Sequence, residues 1–351
     1  MPKRGSSGSA ASAGSKKSKA SAVPENLSAL LPLHWKEEVA KWIAQDMPKW
    51  DIGGFVVGSE PHHAMLLGKG EGVLAGVPFA TFVFEHVGCE IEWLQSEGHV
   101  ITKEEAAAKK AVAKVTGPTR NILMGERTAL NILSRASGVA TAAHTAMEVA
   151  RENGWHGKVA GTRKTTPGFG LIEKYALLVG GADTHRMDLS SMVMLKDNHI
   201  WSTGSITESV ARARSVCGFS TKIEVECTSE QDAIEAAESG ADVIMLDNYK
   251  GEELKAVSGR LKKKWPHIII EVCPRCAHSA PSPAAAEPER DSVCLRAQAS
   301  GGITLETMPQ FFAPSVDIIS QGALTNGYDT LDFSLKVPKP DSFAARSRVS
   351  K

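Results

Sequence analysis

The sequence predicts an α/β protein whose second part is a barrel of parallel strands. From Gly157 onward, short apolar runs that favour strands alternate with longer segments that favour helices, and repeated units of this kind form parallel sheets. The strands are short and a helix follows each of them, which favours a barrel over an open sheet. Polar residues or glycines stand at the carboxyl end of nearly every strand, where barrel enzymes assemble their active sites.

Size and charge indicate an ordinary globular protein. The 351 residues can form one large domain or two smaller ones, and the 40 basic residues balance the 40 acidic ones. The sequence has no uninterrupted apolar run of about 18 residues, the length of a membrane-spanning helix. A charge-balanced chain also lacks the overall basic character of nucleic-acid-binding proteins. We therefore expect neither a membrane nor a nucleic acid as partner.

Residues 1–23 form a basic, Ser-rich segment that we expect to be a disordered tail. The segment lacks the apolar core of a secretory signal. The six cysteines are expected to be reduced, because a chain of this length needs no disulfides to fold. We therefore predict a cytoplasmic protein, with nuclear or organellar targeting by the tail as the alternative.

The first part of the chain has the pattern of mixed helices and strands. An amphipathic helix is predicted at 33–45, and a long helix at 125–153 that breaks near Gly138. Short strands separated by Gly, Pro and charged turns are predicted at 53–57, 64–67, 79–84 and 90–94.

The second part supplies the barrel. Its strands are predicted at 159–160, 192–195, 222–226, 242–246, 268–270 and 316–319. Its helices are predicted at 172–179, 206–216, 230–238, 252–264 and 303–312.

Four cationic side chains fall in short segments that follow apolar stretches: Arg163, Lys164, Arg186 and Lys196. On a neutral protein, such a local cluster indicates a site for a small, highly anionic ligand. His185 stands beside Arg186 and is a candidate acid or ligand clamp, although a lone histidine is more often structural.

Two glycine loops follow the last strands of the barrel. Ser300, Gly301 and Gly302 precede a predicted helix, and Ser320 to Gly322 end the next strand. Backbone N–H groups at a helix start attract anions, and the last two loops of barrel enzymes commonly bind phosphate. One such loop is as often a tight turn, but two in succession favour a phosphate site.

Two carboxylates, Glu226 and Asp247, end neighbouring predicted strands. Carboxylates beside phosphate loops are typical ligands of Mg²⁺, so we predict a magnesium site there. The alternative is that they pair with Lys164 or Lys196 and so keep buried charge satisfied.

These motifs together resemble the quinolinate phosphoribosyltransferase family over about residues 30–337. The resemblance is carried by runs that occur in the family's order along the chain: 125–131 (GERTALN), 161–165 (GTRKT), 185–186 (HR), 196–199 (KDNH), 224–226 (EVE), 246–248 (LDN) and 299–303 (ASGGI).

The resemblance implies a type II phosphoribosyltransferase fold. An N-terminal α/β sandwich would span 24–135, an incomplete α/β barrel would span 136–327, and residues 328–340 would return to the first domain. It further implies an enzyme of NAD biosynthesis, which converts quinolinate and phosphoribosyl pyrophosphate (PRPP) to nicotinate mononucleotide, pyrophosphate and CO₂ with Mg²⁺. A homodimer is implied, and a hexamer is a further possibility.

The resemblance also implies roles for the cationic residues. Arg163, Lys164, His185 and Arg186 would bind the carboxylates of quinolinate, and Arg127 would enter the site from the partner subunit. Lys196, Glu226 and Asp247 would act on the ribose, the pyrophosphate and the metal, and with Lys164 they form the expected catalytic set. The phosphate loops Ser300–Gly302 and Ser320–Gly322 would hold the 5′-phosphate.

The segment 272–298 departs from the family pattern, because the family runs almost directly from this strand to the Ser-Gly-Gly loop. Cys273, Cys276 and His278 resemble half of a zinc site, without a matching second half nearby. We favour a retained intron, since removing 272–298 in frame joins Glu271 to Ala299 and restores the pattern. A genuine surface insert is the alternative.

Two other functions are compatible with parts of the sequence. A phosphoribosyltransferase that uses nicotinate itself would share the barrel, but the density of cations favours the diacid. A non-catalytic scaffold or RNA-binding protein could use the basic tail, but it would not need the motifs at the strand ends.

Overall fold

The computed structural model describes residues 26–273 and 303–339. The predictions for the tail at 1–23, for most of the atypical segment 272–298 and for Ser300, Gly301 and Gly302 lie outside the described residues. Within them, the structure has no helix that is long and apolar enough to cross a membrane.

The N-terminal unit combines an antiparallel sheet with helices. In chain order its elements are α1 (Trp35–Asp46), α2 (Ile52–Val57), β1 (Pro61–Gly68), β2 (Gly72–Val73), α3 (Val77–His86), β3 (Glu90–Trp93), β4 (Val100–Ile101), α4 (Lys103–Ala107), β5 (Ala111–Pro118) and α5 (Thr119–Glu152).

The second unit carries the strand–helix repeats that the sequence predicts. Its elements are β6 (Lys158–Ala160), α6 (Gly170–Val179), β7 (Val193–Leu195), α7 (Asp197–Thr203), α8 (Ile206–Val216), β8 (Ile223–Cys227), α9 (Glu230–Glu238), β9 (Val243–Leu246), α10 (Gly251–Lys264), β10 (Ile269–Val272), β11 (Ile318–Ser320), α11 (Ala323–Asn326) and β12 (Phe333–Lys336).

The six strands β6 to β11 form one parallel sheet in the order β6-β11-β10-β9-β8-β7. The first strand therefore pairs with the last, as in a barrel, while the described ladder stays open between β6 and β7. This is the incomplete parallel barrel that the sequence predicts. All five residues of β8 and all four of β9 are buried, as expected for strands covered on both faces.

The last strand that the structure describes, β12, joins the two units. Strand β12 pairs antiparallel with β1, with Met65 opposite Lys336, in a four-stranded sheet of order β12-β1-β5-β3. The segment before β12 lies against α5 at Gly138, where a Cβ would stand only 2.4 Å from the carbonyl oxygen of Asp329. The predicted break in the long helix is therefore wrong: α5 runs unbroken, and its glycine lets another backbone approach closely.

Two predicted strands, 53–57 and 79–84, are wrong, because these residues form helices α2 and α3. Asp51 caps α2 by accepting a 2.7 Å hydrogen bond from the N–H of Gly54. Helix α3 begins after Gly76 at φ 98° and has Pro78 in its first turn, a position that proline favours. Phe79 and Phe84 are fully buried, so packing overrides the β preference of this aromatic-rich run.

The helix predicted at 303–312 is also wrong, since the structure has only a 3₁₀ helix at Met308–Phe311. Seven further elements were not predicted: strands β2, β4, β5 and β12 and the short helices α4, α7 and α11. The long helix α5 begins at Thr119 rather than at the predicted residue 125, and the remaining helices and strands lie within a few residues of their predicted bounds.

Candidate active site

A cavity of about 620 Å³ lies at the carboxyl ends of the barrel strands. Eight residues singled out from the sequence line it: Arg163, Lys164, His185, Arg186, Lys196, Glu226, Asp247 and Ser320. Glu271 and Cys273, at the end of β10, line it as well. The cationic and acidic groups that the sequence places on different loops thus meet in one cavity.

The loop that carries Arg163 and Lys164 is fastened at two points. Thr325 donates a 2.9 Å hydrogen bond to the carbonyl oxygen of Lys164. Glu173, a fully buried residue of α6, accepts 2.9 Å bonds from both the N–H and the hydroxyl of Thr166. The side chain of Lys164 lies against Gly322, where a Cβ would stand 3.0 Å from its Cδ. These contacts place Lys164 beside the loop after β11.

The segment that carries His185 and Arg186 is held in an unusual backbone conformation. His185 has φ 54°, a value rare for residues other than Gly, Asn, Asp and His. Its N–H donates to Asp183 at 2.8 Å, and the Arg186 guanidinium donates to the carbonyl oxygen of Met192 at 3.2 Å. The guanidinium stays charged, although burial, and then the charge of Arg163, lowers the pKa of Arg186.

Lys174 on helix α6 supports the same segment through hydrogen bonds. It is a buried residue of α6, and its Nζ donates to the carbonyl oxygens of Thr184 and, at 3.2 Å, of Arg186. Burial lowers the pKa of Lys174 to about 8. Sequence reasoning missed this residue because it lies within an apolar helical run; a lysine in such a run is the signal that could have found it.

The predicted carboxylates lie side by side at the ends of neighbouring strands. Glu226 on β8 is opposite Met245 on β9, two residues before Asp247. Glu226 and Asp247 are both buried. Lys196 makes a direct ion pair with Glu226, which is the pairing that the sequence left open as an alternative to metal binding. Buried carboxylate oxygens at the ends of neighbouring strands also suit Mg²⁺.

A second pair of acidic residues, Glu224 and Glu271, lies beside His185, and neither was assigned a role from the sequence. Glu224 and Glu271 are almost fully buried, and Nε2 of His185 lies 3.8 Å from Glu224 and 3.1 Å from Glu271. Both carboxylate oxygens of Glu224 lack a hydrogen-bond partner within the described structure. Burial, and then the charge of Glu271, raises the pKa of Glu224 well above its usual range.

Arg127 does not reach this cavity in the described chain. It is an exposed residue of α5 and lines a separate cavity of about 450 Å³ with Trp42, Arg135 and Phe169. His199, next to the cationic cluster in sequence, lies outside the main cavity too. Its Nδ1 accepts a 3.1 Å hydrogen bond from the N–H of Lys196 at the start of α7.

The arrangement suits chemistry on a small polyanion. Guanidinium and ammonium groups on one side can hold carboxylates or phosphates, and carboxylates on the other can stabilise developing positive charge. Together with the open parallel barrel, these features define an α/β-barrel enzyme that acts on a small anionic substrate.

Comparison with known proteins gives the family. The N-terminal domain of quinolinate phosphoribosyl transferase matches residues 51–137, and its C-terminal domain matches 139–275 and 282–336. The chain belongs to the quinolinate phosphoribosyl transferase family, which confirms the resemblance in the sequence. The interruption at 276–281 lies within the atypical segment 272–298, for which a retained intron stays a prediction.

Relatives agree over nearly the whole chain. A nicotinate-nucleotide pyrophosphorylase (carboxylating) of Dictyostelium discoideum is 46% identical over 324 residues, 89% of this chain and 99% of that protein. The protein of the same name from Rattus norvegicus is 46% identical over 90% of this chain and 95% of its own. The crystal structure of NadC from Streptococcus pyogenes superposes with a TM-score of 0.71 at 30% identity, covering 88% of this chain and 99% of that one.

Proposed function

We propose that this enzyme transfers the phosphoribosyl group of PRPP to the ring nitrogen of quinolinate, with loss of one carboxylate as CO₂. The products are nicotinate mononucleotide and pyrophosphate. The relatives' name, a carboxylating pyrophosphorylase, describes the same reaction in reverse. The observation that carries the proposal is one cavity that holds Arg163, Lys164 and Arg186 beside Glu226 and Asp247.

The cations suit a ligand with two adjacent carboxylates. A guanidinium binds a carboxylate through two parallel hydrogen bonds. The cavity offers two guanidinium groups, those of Arg163 and Arg186, and the ammonium group of Lys164. Nicotinate has a single carboxylate and would leave part of this charge unpaired. This density of cations supports quinolinate as the substrate.

The carboxylates suit the ribosyl transfer. As pyrophosphate leaves, positive charge develops at C1 of the ribose, and Glu226 and Asp247 can stabilise it. Lys196, which is paired with Glu226, can neutralise the departing phosphate oxygens. Glu226 and Asp247 also fit Mg²⁺ as buried oxygen ligands on adjacent strands. When bound, this ion would add positive charge beside the leaving pyrophosphate.

The decarboxylation that follows requires that the pyridine ring be held in place, and it needs no further catalytic side chain. After transfer, the positive ring nitrogen stabilises the carbanion left when the adjacent carboxylate departs as CO₂. That ring carbon then takes up one proton, ultimately from the solvent, to give nicotinate mononucleotide. The chain need only hold the ring and exclude water from that carboxylate. Lys164 and Arg163, on a loop fastened by Glu173 and Thr325, can do so.

We also propose a homodimer in which Arg127 of one subunit completes the site of the other. Its exposed position on α5, outside the main cavity of its own chain, supports this role. The 5′-phosphate is assigned to Gly322, Ser320 and the loop Ser300–Gly302. A hexamer would be an assembly of such dimers.

The proposal is tested by incubating the purified chain with PRPP, Mg²⁺ and either quinolinate or nicotinate. We expect CO₂ and nicotinate mononucleotide in equal amounts from quinolinate, and little product from nicotinate. A reaction without PRPP is the negative control. Product from nicotinate without CO₂ release would replace the proposal by its closest alternative, and no product from either acid would favour a non-catalytic role.

A further inference from the structure

Both ring nitrogens of His185 are already occupied by the protein. Nδ1 lies 2.7 Å from the backbone nitrogen of Arg186. Nε2 lies 3.1 Å from Oε2 and 3.3 Å from Oε1 of Glu271. The side chain is only 7% exposed. A residue that the sequence suggests as a substrate ligand therefore has no polar atom left for the substrate.

The contacts also decide where the imidazole proton lies. A backbone N–H can only donate, so Nδ1 must be the acceptor in its bond with Arg186. The proton is then on Nε2, which donates it to the Glu271 carboxylate. Glu271 is fixed in turn by a 2.6 Å hydrogen bond from the Ser320 hydroxyl. A chain of three hydrogen bonds thus runs from β11 to the Arg186 backbone.

The same geometry excludes a metal ion at this cluster. His185, Glu224 and Glu271 could each present one ligand atom, and these atoms lie within 4.8 Å of one another. A metal on Nε2 would need the lone pair there and would move the proton to Nδ1. Nδ1–H would then face the N–H of Arg186, donor against donor. The contacts of His185 with Arg186 and Glu271 therefore orient its imidazole ring and leave no position for a metal ion.

We propose that His185 is a positioning residue for Arg186 and does not itself contact the substrate. Its Nδ1 accepts from the Arg186 N–H while its Nε2 is held by Glu271, and Lys174 donates to the Arg186 carbonyl oxygen. Both backbone polar groups of Arg186, its N–H and its carbonyl, are thereby held, and its guanidinium is directed into the cavity. The inference rests on the proposed function, since it assigns Arg186 to a carboxylate of quinolinate.

The backbone conformation offers a matched pair of variants. Glycine and asparagine both tolerate the φ of 54° at this position. In His185→Asn, the side-chain oxygen can take the place of Nδ1 and accept from the Arg186 N–H. In His185→Gly, that acceptor is lost. Neither side chain reaches the place of Nε2, so the pair separates the Nδ1 contact from any contact through Nε2.

The measurement is steady-state kinetics with each substrate varied in turn, on variants whose melting temperature confirms folding. We expect the KM for quinolinate to rise about tenfold or more in His185→Gly and to stay within about threefold of wild type in His185→Asn. The KM for PRPP should change little in either. Quinolinate binding without PRPP, by calorimetry, should follow the same order.

Equal losses in both variants would mean that His185 acts through Nε2 and not through the bond that Nδ1 accepts from Arg186. Normal kinetics in both would mean that His185 does not position Arg186. Either result overturns the inference. Wild-type protein that neither binds nor converts quinolinate would instead overturn the proposed function.

Discussion

The Ser320 hydroxyl donates a 2.6 Å hydrogen bond to Oε1 of Glu271, linking the carboxyl ends of the neighbouring strands β11 and β10. Both side chains are nearly fully buried. A buried carboxylate needs hydrogen-bond donors to offset its lost hydration. Ser320, assigned from the sequence to phosphate binding, therefore also supports the cavity wall behind His185.

Ser320→Ala should destabilise the fold by about 1–3 kcal/mol, because it removes one donor from the buried Glu271 carboxylate. It should also raise the KM for quinolinate, since Glu271 holds His185. Chemical unfolding and steady-state kinetics check the two effects. Unchanged stability would mean that the hydroxyl contributes nothing to Glu271.

Gly322→Ala should impair catalysis without unfolding the protein. Gly322 has φ −67° and ψ −30°, which alanine adopts freely, but the new Cβ would stand 3.0 Å from Cδ and 3.4 Å from Nζ of Lys164. We expect a fall of about tenfold in kcat/KM from the displaced ammonium group. Gly259→Ala, which meets nothing within 4 Å, is the matched control and should keep full activity. Equal activity in the two variants would contradict the position of Lys164.

Asp247→Asn should raise the Mg²⁺ concentration that gives half-maximal activity by about tenfold, because an amide is a weaker ligand for Mg²⁺ than a carboxylate. Quinolinate binding without PRPP and Mg²⁺ should be unaffected. A Mg²⁺ titration of turnover and calorimetry of quinolinate provide the two readouts. The same Mg²⁺ requirement in wild type and variant would remove Asp247 from the metal site.

Glu97 should make stability depend on pH. It accepts 2.8 Å hydrogen bonds from the N–H groups of Gly76 and Val77, and burial raises its pKa from 4.5 to about 7. Between pH 4.5 and 7 the folded state retains a proton that the unfolded state loses, so stability falls as pH rises. In Glu97→Gln, the loss between pH 5 and 8 should shrink by about 2 kcal/mol, as measured by urea unfolding. An identical pH dependence would exclude Glu97 as the cause.

The barrel could be predicted from sequence because its strands are short apolar runs that end in polar residues. Strand β8 and the helix after it, α9, agree with prediction to within one residue. The N-terminal unit was harder, since the aromatic-rich run of α3 has β preference and becomes helical only when Phe79 packs in the core. The close approach of Asp329 to Gly138 is a tertiary contact that no local pattern reveals.

The site residues were predictable where they follow strands. They were not predictable where a side chain on a helix acts through the backbone of another segment. Arg163, Lys196 and Asp247 follow strands β6, β7 and β9, and all three line the cavity. Lys174 contacts the site through backbone carbonyls, and its place in an apolar helix concealed it. The acceptor role of His185 Nδ1 depends on a backbone conformation with positive φ, which the sequence alone does not specify.

The cationic cluster at the barrel mouth is proposed to recognise a diacid. Calorimetry of quinolinate and nicotinate binding to the wild-type protein, without PRPP, tests it most directly. We predict that quinolinate binds about 100-fold more tightly, as expected for a second charge-assisted pairing worth about 2–3 kcal/mol. The preference should largely disappear in Arg186→Met. Equal affinities for the two acids in the wild type would contradict the account.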